Sequence, residues 1–545
     1  MPLSAPQRDS PDPQSAANAN LLRTGAVVCE DKCVATSSEG AGTGTWPSAR
    51  RGQALTQQEL ESRLWAAANS LRGPVDPADF KSYVFPLLFF KWASDTWDLE
   101  HAAAVAGFGS DLTPEIEADF HRFALPRGCH WSDLQKVSAN VGVALQKILD
   151  RLAEANPRTL AGIFGDVAWG NKERLPEPAL LNLIDAFDRL TLNRTVVSND
   201  MLGAAYEYLL RQFADESGKK AGEFFTPRAV VRLLVRILSP RTGEAVYDPA
   251  CGSGGMLVET INEVREAGGD TRTLRLYGQE VNLTTAAIAR MNLFLHDLED
   301  FRIVRGDTLR DPRFLERSGL RRFDVVVANP PFSLKNWGAD TWADDPYGRA
   351  ACGVPPAGTA DLAWVQHMVA SMRTGTGRVG VVMPHGVLHR GGAEKSIRQC
   401  LIEQDLLEAV IGLPPNLFYS TAIPACLLIF RSAKPTQRHG TVLFVDGSRR
   451  FGKGPRSQNQ MSDADIEKIL AAYIGDSSAD VPSRLVGHAE IKDSSWDLNI
   501  GRYLKTSSLQ TITVQEARRE LIQAQAALRD AENRLSVRLK AAGLA

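Results

Sequence analysis

An α/β domain on a largely parallel sheet, preceded by an all-helical domain and followed by one long helix, is the fold this sequence predicts. Three observations carry it. After Met201, short apolar runs ("EAVYD", "LRLYGQE", "FRIVRGD", "DVVVANPP", "GRVGVVMP", "LEAVIGLP", "ACLLIF", "TVLFVD") alternate with helical stretches such as "PRAVVRLLVRIL" and "TTAAIARMNLFLHDL". That alternation is the signature of helices crossing over a parallel sheet. Before Met201 the apolar residues recur only at helical spacing, and at the end of the chain they settle into a heptad seam.

In chain order, residues 1–52 are rich in Ser, Ala, Pro, Gly and Thr with no apolar period, and are predicted to be a disordered tail. A helical domain is predicted over 53–195. "TQQE" opens it as a capping box, with Thr56 as N-cap and Glu59 reaching back. Leu60, Leu64, Ala67, Ala68 and Leu71 follow on one face, and "RGPVDP" breaks the helix. "ADFKSYVFPLLFFKWASD" predicts the next helix, kinked or restarted at Pro86. The alternating α/β region is assigned to 196–435 and a C-terminal extension to 436–508. The final helix, 509–545, begins with a second capping box, "TVQE", and carries Val514, Ala517, Leu521, Ala524, Leu528, Ala531 and Leu535 three and four apart. A seam this regular suits either its own domain or a partner helix.

The chain has 545 residues, 44% hydrophobic and 23% charged, an ordinary globular composition. A net charge of -2 excludes a global basic field, so a role on nucleic acid needs a local groove or a partner. The seven cysteines are odd in number and mostly scattered, which predicts free thiols and a reducing compartment. "CEDKC" is half of a zinc-ligand pattern without its second half, and no metal site is expected. No basic-then-apolar leader and no apolar run of about 18 residues is present, so a cytoplasmic protein without membrane spans is expected.

The chemistry is predicted at the strand ends, where ligands bind in such sheets. "DPACGSGGML" joins an acid, Asp248, to a glycine turn and a helix; the glycines admit a ligand to the backbone, and Asp248 suits a positive group. Glu280 ends the next strand, placed either for ribose hydroxyls or as a helix N-terminal charge. Asp307 ends the third and suits an exocyclic amine. The fourth strand leaves through "ANPPFS", where two prolines forbid a helix. Asn329 and the Pro330 carbonyl are two acceptors and Phe332 is a stacking face, a cradle for a planar, amine-bearing base taken out of its duplex.

Taken together and in this order, "DPACGSGG", "GQE", "GD" and "NPPF" resemble the S-adenosylmethionine-dependent amino-methyltransferases. More narrowly, "GKKAGEFFTPR", "YGQEVNLTTAAIARMNLFLH", "FDVVVANPPFSLKNW", "MPHGVLHRGGAEKSIR" and "VIGLPPNLFYSTAIPACLLIF" resemble the modification subunit of type I restriction–modification systems, and "LWAAANSLRGPVDPADFKSYVFPLLFFKWASD" resembles that family's N-terminal helical domain. The resemblance spans residue 56 to the end. It implies a Rossmann-like methyltransferase domain and an adenine-N6 DNA methyltransferase that uses S-adenosyl-L-methionine. Residue by residue, it implies that Glu223, Phe224, Phe225, Thr226, Pro227 and Arg228 line the methionine end of the cofactor. Ser253, Gly254 and Gly255 form the turn beneath it, Glu280 takes the ribose, and Asp307 faces the cofactor adenine. Asn329, Pro330, Pro331 and Phe332 hold the target adenine, with Phe332 in place of the family's commoner Tyr.

Only about 70 residues separate "LLIF" from the terminal helix, too few for a separate DNA-reading domain with linkers. A specificity subunit, docked partly through the 514–535 seam, is therefore an expected partner; the resemblance implies a second copy of the chain and a restriction subunit as further partners on DNA. A stand-alone adenine methyltransferase and a cofactor-binding scaffold are the alternatives. "GSRRFGKG" misses the P-loop pattern at Gly454 and leads into no convincing helix; its charges suit either a DNA phosphate contact or a solvated loop. His385 and His389 in "PHGVLH" lack the Glu of a zinc-protease helix.

Overall fold

The computed structural model describes residues 55–217, 226–298, 300–317, 319–418, 423–454, 458–476, 478–504 and 514–541. The tail assigned to 1–52, Cys29, Cys33, Thr513 and the predicted cofactor residues Glu223, Phe224 and Phe225 lie outside them.

The first helix, α1 (Gln57–Asn69), starts at the capping box. Thr56 Oγ1 accepts from the Glu59 amide at 3.3 Å, and Glu59 Oε2 accepts from the Thr56 amide at 2.9 Å. The next, α2 (Phe80–Phe108), is one continuous helix of 29 residues with Pro86 inside it. Proline removes one rung of the ladder there. The buried run from Tyr83 to Ser94 offsets that loss, with Phe85 packed 4.3 Å from Tyr206 and Phe89 5.3 Å from Trp92. The helical layer continues through α3 (Pro114–Phe120), α4 (Val141–Ala155), α5 (Glu177–Asp188) and α6 (Asn199–Ser217).

Nine strands form one sheet: β1 (Ala245–Asp248), β2 (Arg275–Glu280), β3 (Phe301–Arg305), β4 (Val325–Ala328), β5 (Arg378–Pro384), β6 (Leu407–Gly412), β7 (Ala425–Arg431), β8 (Thr441–Asp446) and β9 (Ser483–Gly487). Their spatial order is β9-β8-β6-β7-β5-β4-β1-β2-β3. From β3 across to β5 every pairing is parallel. The rest is mixed: β7 runs antiparallel to both β5 and β6, and β9 antiparallel to β8. The apolar runs place every strand except β9, whose exposed "SRL" lacks the signal of a buried strand. β8 and β9, from the predicted extension, thus complete the same sheet.

Helix α7 (Arg228–Leu238) leads into β1, and α8 (Gly255–Glu266) and α9 (Leu283–Leu295) connect β1 to β2 and β2 to β3. α9 is apolar around most of its surface because it faces two cores. Ile288, Met291, Phe294 and Leu295 belong to the aromatic core of the helical layer, while Ala289 and Leu293 pack under the sheet. Tyr206 donates to the Ile288 carbonyl at 2.9 Å across that seam.

Cys352 and Cys400 form a disulfide, which corrects the expectation of free thiols throughout. The two are 48 residues apart in sequence yet 5.5 Å apart at Cα, a proximity no spacing rule reports. Cys129, Cys251 and Cys426 are free and buried. The near-P-loop becomes a β-ribbon, Gly452–Lys453 against Asn459–Gln460, not a strand feeding a helix. Within it Arg450 pairs with Asp480 at 2.7 Å, and Arg449 is exposed. The last helix spans Val514–Ala541, and Leu521, Leu528 and Leu535 on it are 58%, 59% and 58% exposed. Among the described residues no helix is long and apolar enough to cross a membrane.

Candidate active site

Adjacent strands bring the predicted residues to one edge of the sheet. Asp248 at the end of β1 is in register with Gly278, two residues before Glu280 at the end of β2, and β1 also pairs with β4, which ends beside Asn329. Asp307 follows β3, the neighbour of β2. The alternation that made the strands legible therefore also sets their ends in the order Asp307, Glu280, Asp248, Asn329.

After β1 the chain must reverse into α8 within a few residues. Asp248 Oδ1 accepts from the Ala250 amide at 3.0 Å, which starts the turn. Gly252 and Gly254 then adopt φ of 52° and 82°, a left-handed backbone that only glycine takes without strain. Glu280 is joined to this turn: its Oε2 accepts from the Gly252 amide at 3.1 Å and its Oε1 from the Asn282 amide at 2.9 Å. The Ser253 carbonyl accepts from Asn292 Nδ2 at 2.9 Å.

Burial first, and then the neighbouring Glu280 charge, push the Asp248 carboxyl up to about 8, against the pull of the Ala250 hydrogen bond. A cation placed beside it favours the ionised carboxylate and pulls that value back down. Burial likewise drives the Cys251 thiol well above its ordinary value, so this cysteine stays protonated and is no nucleophile. Asp307 caps its own turn, accepting from the Leu309 amide at 3.1 Å and the Arg310 amide at 3.3 Å, with the Arg310 guanidinium 3.6 Å away.

The Asn-Pro-Pro-Phe loop is built on a different footing. Asn329 Nδ2 donates to Thr226 Oγ1 at 2.8 Å. That bond uses one N–H of the amide, and among the described residues Oδ1 is buried with no hydrogen-bond partner. Buried acceptors are rarely left unpaired, and one in a strand-end loop points to a ligand donor. Pro330 is buried, and Phe332 meets Phe418 edge-on at 6.1 Å. Ser333 then turns the chain with φ of 52°, and its amide donates to Asp361 Oδ1 at 2.7 Å. Asp361 opens helix α10 (Asp361–Ala370), and its other oxygen pairs with Arg390. Arg390 is held in turn by Glu394, at 2.6 Å.

Of the predicted residues, Thr226 and Asn329 are joined directly, and Asp248, Glu280 and the glycine turn form a second cluster. Pro227 caps α7, and Arg228 is its first residue and is exposed. Sequence reasoning missed Asp361, Arg390 and Glu394, which hold the tetrad loop. Their one local signal is the i,i+4 spacing of Arg390 and Glu394. His385 Nε2 meets the Ala425 carbonyl at 3.1 Å, a strand-end contact between β5 and β7.

A family model described as N-6 DNA Methylase matches residues 197–511, and one described as HsdM N-terminal domain matches residues 60–187. The type I restriction enzyme MjaVII methylase subunit of Methanocaldococcus jannaschii is 33% identical over 389 residues, 69% of this chain and 65% of that one. The MpnII methylase subunit of Mycoplasma pneumoniae is 30% identical over 493 residues, 82% of this chain and 90% of that one. Among solved structures, the type I restriction–modification methyltransferase subunit from Streptococcus thermophilus has a TM-score of 0.73 at 31% identity, covering 83% of this chain and 100% of that one.

Proposed function

This chain belongs to the N-6 DNA methylase family, as a methylase subunit of the type I restriction–modification kind, and on that premise we propose that its tetrad methylates adenine N6 in DNA at sites chosen by a partner subunit. The observation that carries this reading is the unpaired, buried Asn329 Oδ1.

With one Nδ2 hydrogen held by Thr226, Asn329 offers its Oδ1 as the acceptor for an incoming amine. It takes one hydrogen of the adenine N6 amine, and the Pro330 carbonyl is the second acceptor from the same loop. Phe332 stacks on the flipped base. Together they fix the amine nitrogen and stabilise the positive charge that develops on it; its proton then leaves to solvent. S-adenosylmethionine, when bound, supplies an electrophilic methyl carried on a sulfonium. Asp248 suits the cationic methionine end, Glu280 the ribose and Asp307 the adenine, and Glu223, Phe224, Phe225, Thr226, Pro227 and Arg228 are the proposed lining of the methionine end. DNA work of this kind places the protein in the cytoplasm. Single-molecule sequencing of DNA from cells with and without the gene tests the proposal. N6-methyladenine at one sequence motif, present only with the gene, is the expected outcome; modified cytosine, or no difference, overturns it.

The raised Asp248 carboxyl makes cofactor binding pH-dependent. In the free chain the proton on Asp248 favours the fold at low pH, a contribution complete below about 4 and lost as pH rises through about 8. A bound cation lowers that carboxyl and expels the proton. Affinity for S-adenosylmethionine should therefore rise with pH, by up to about tenfold per unit, and level off near 8. Calorimetry at pH 7 in buffers of different ionisation enthalpy should show proton release that Asp248→Asn removes.

The exposed leucines of the last helix are a surface for a partner helix. We assign the specificity subunit to it, within a complex that also holds a second methylase copy and, for cleavage, a restriction subunit. Replacing both Leu521 and Leu528 with Asp should leave the melting temperature of the lone chain unchanged and abolish assembly, read by size-exclusion chromatography with light scattering. The lone chain should show little site-specific methylation.

A further inference from the structure

The helical layer holds a cluster of imidazoles and carboxylates outside every methylation motif, at the corner between α2 and α3. His101 lies on the last turns of α2, Glu117 on α3, and His121 caps the end of α3. Their ligand-capable atoms all fall within 4.8 Å of one another. His101 Nδ1 is 2.5 Å from Glu117 Oε1, and His121 Nε2 is 3.8 Å from the same oxygen.

His121 provides the second, independent observation. Its side chain is only 5% exposed, yet among the described residues its Nε2 has no hydrogen-bond partner. The other ring nitrogen, Nδ1, lies 3.1 Å from Glu100 Oε2. A carboxylate that accepts the Nδ1 proton fixes the tautomer and leaves the Nε2 lone pair free, as in metal-ligating histidines. Nearest to that lone pair among these groups is a carboxylate oxygen, Glu117 Oε1 at 3.8 Å, which is itself taken up by His101 Nδ1 at 2.5 Å. Trp97 lies parallel to both rings, 5.0 Å from His101 and 4.4 Å from His121, and restrains their planes.

We propose that His101, Glu117 and His121 bind one zinc ion, with water in the fourth position, and that Glu100 is the positioning residue behind His121. Two imidazoles and one carboxylate suit zinc. Bonds of about 2.0–2.2 Å to a tetrahedral ion put ligand atoms roughly 3.3 Å apart. The His101–Glu117 edge opens and the His121–Glu117 edge closes to reach that spacing; His101, 43% exposed, has room to move. The ion takes the place of the proton between His101 Nδ1 and Glu117, and Glu117 and Glu100 balance its charge. Bound there, it staples the end of α2 to α3 across the turn at Gly109–Asp111.

The test is cobalt(II) titration of the full chain after chelator treatment, followed by zinc competition and by thermal melting with and without zinc. One equivalent of cobalt with visible d–d absorption, displaced by zinc, is expected, along with a higher melting temperature in zinc. His101→Ala and His121→Gln should each abolish the absorption and the shift. Glu100→Gln should weaken binding about 10–100-fold. Because His101 is half-exposed, its variant folds even if the His121 variant does not. Absence of the absorption in the wild type, or its persistence in His101→Ala, overturns the proposal. So does a near-ultraviolet thiolate band that vanishes in Cys29→Ser/Cys33→Ser, since that locates the ion on the other half-pattern.

Discussion

Asn329→Ala should lower the rate of methyl transfer by about 10²–10³-fold, the usual loss when one preorganised partner of developing charge is removed. Cofactor affinity should stay within twofold of wild type. The Asn329 side chain bonds Thr226 at the methionine end but none of the Asp248–Glu280–glycine-turn bonds, so the carboxylates that hold the cofactor keep their places. Single-turnover transfer from tritium-labelled cofactor in the assembled complex measures the first, and calorimetry the second. Thr226→Ala sharpens the test. Without its oxygen, the amide of Asn329 is free to turn and present nitrogen where an acceptor is needed. The rate should fall about tenfold in Thr226→Ala and recover in Thr226→Ser, because one hydrogen bond worth roughly 1–1.5 kcal/mol is removed and restored. Wild-type rates in Asn329→Ala would sink the role of the tetrad acceptor.

Asp361→Ala should be almost as damaging, although Asp361 touches no substrate. Its carboxylate, 1% exposed, accepts from the Ser333 amide and pairs with Arg390. Removing it leaves a donor unpaired, about 1–3 kcal/mol of stability. It also frees a residue held at φ of 52°, which costs the fold unless its surroundings enforce it. The loop that carries Asn329 and Phe332 then relaxes, and a shift of about 1 Å at a reacting group costs about 10²-fold in rate. Asp361→Asn keeps the acceptor for Ser333 and weakens only the Arg390 pair, so it should retain more activity than Asp361→Ala. Equal losses in the two variants would show that the ion pair, not the loop hydrogen bond, sets the geometry. Denaturant unfolding gives the stability, and single-turnover transfer the rate.

Much of the site was legible because its chemistry is local in sequence. Asp248, Glu280, Asp307 and Asn329 each end an apolar run, and a parallel sheet aligns such ends without further information. The capping box at Thr56 was legible for the same reason, since both partners lie within one turn of helix. What holds these groups in place was not. Thr226 and Asn329 are 103 residues apart, and Ser333 and Asp361 are 28 apart. The antiparallel β7 between β5 and β6 also escaped, because an apolar run carries no sign of its direction. The zinc cluster has no motif: His101 precedes Glu117 by 16 residues, and only the fold of α2 onto α3 joins them.

By itself the sequence determined on which strand ends Asp248, Glu280, Asp307 and Asn329 stand, because periodicity and turn composition are written in neighbouring positions. It also determined that the last helix carries an apolar seam. Only the tertiary structure decided that Asn329 Oδ1 is the free acceptor, that Asp248 is buried enough to hold its proton near neutrality, and that Cys352 meets Cys400. Each of these depends on which side chain from a distant segment fills the space beside the group. Burial and hydrogen-bond partnership are properties of that packed neighbourhood, which local sequence does not encode.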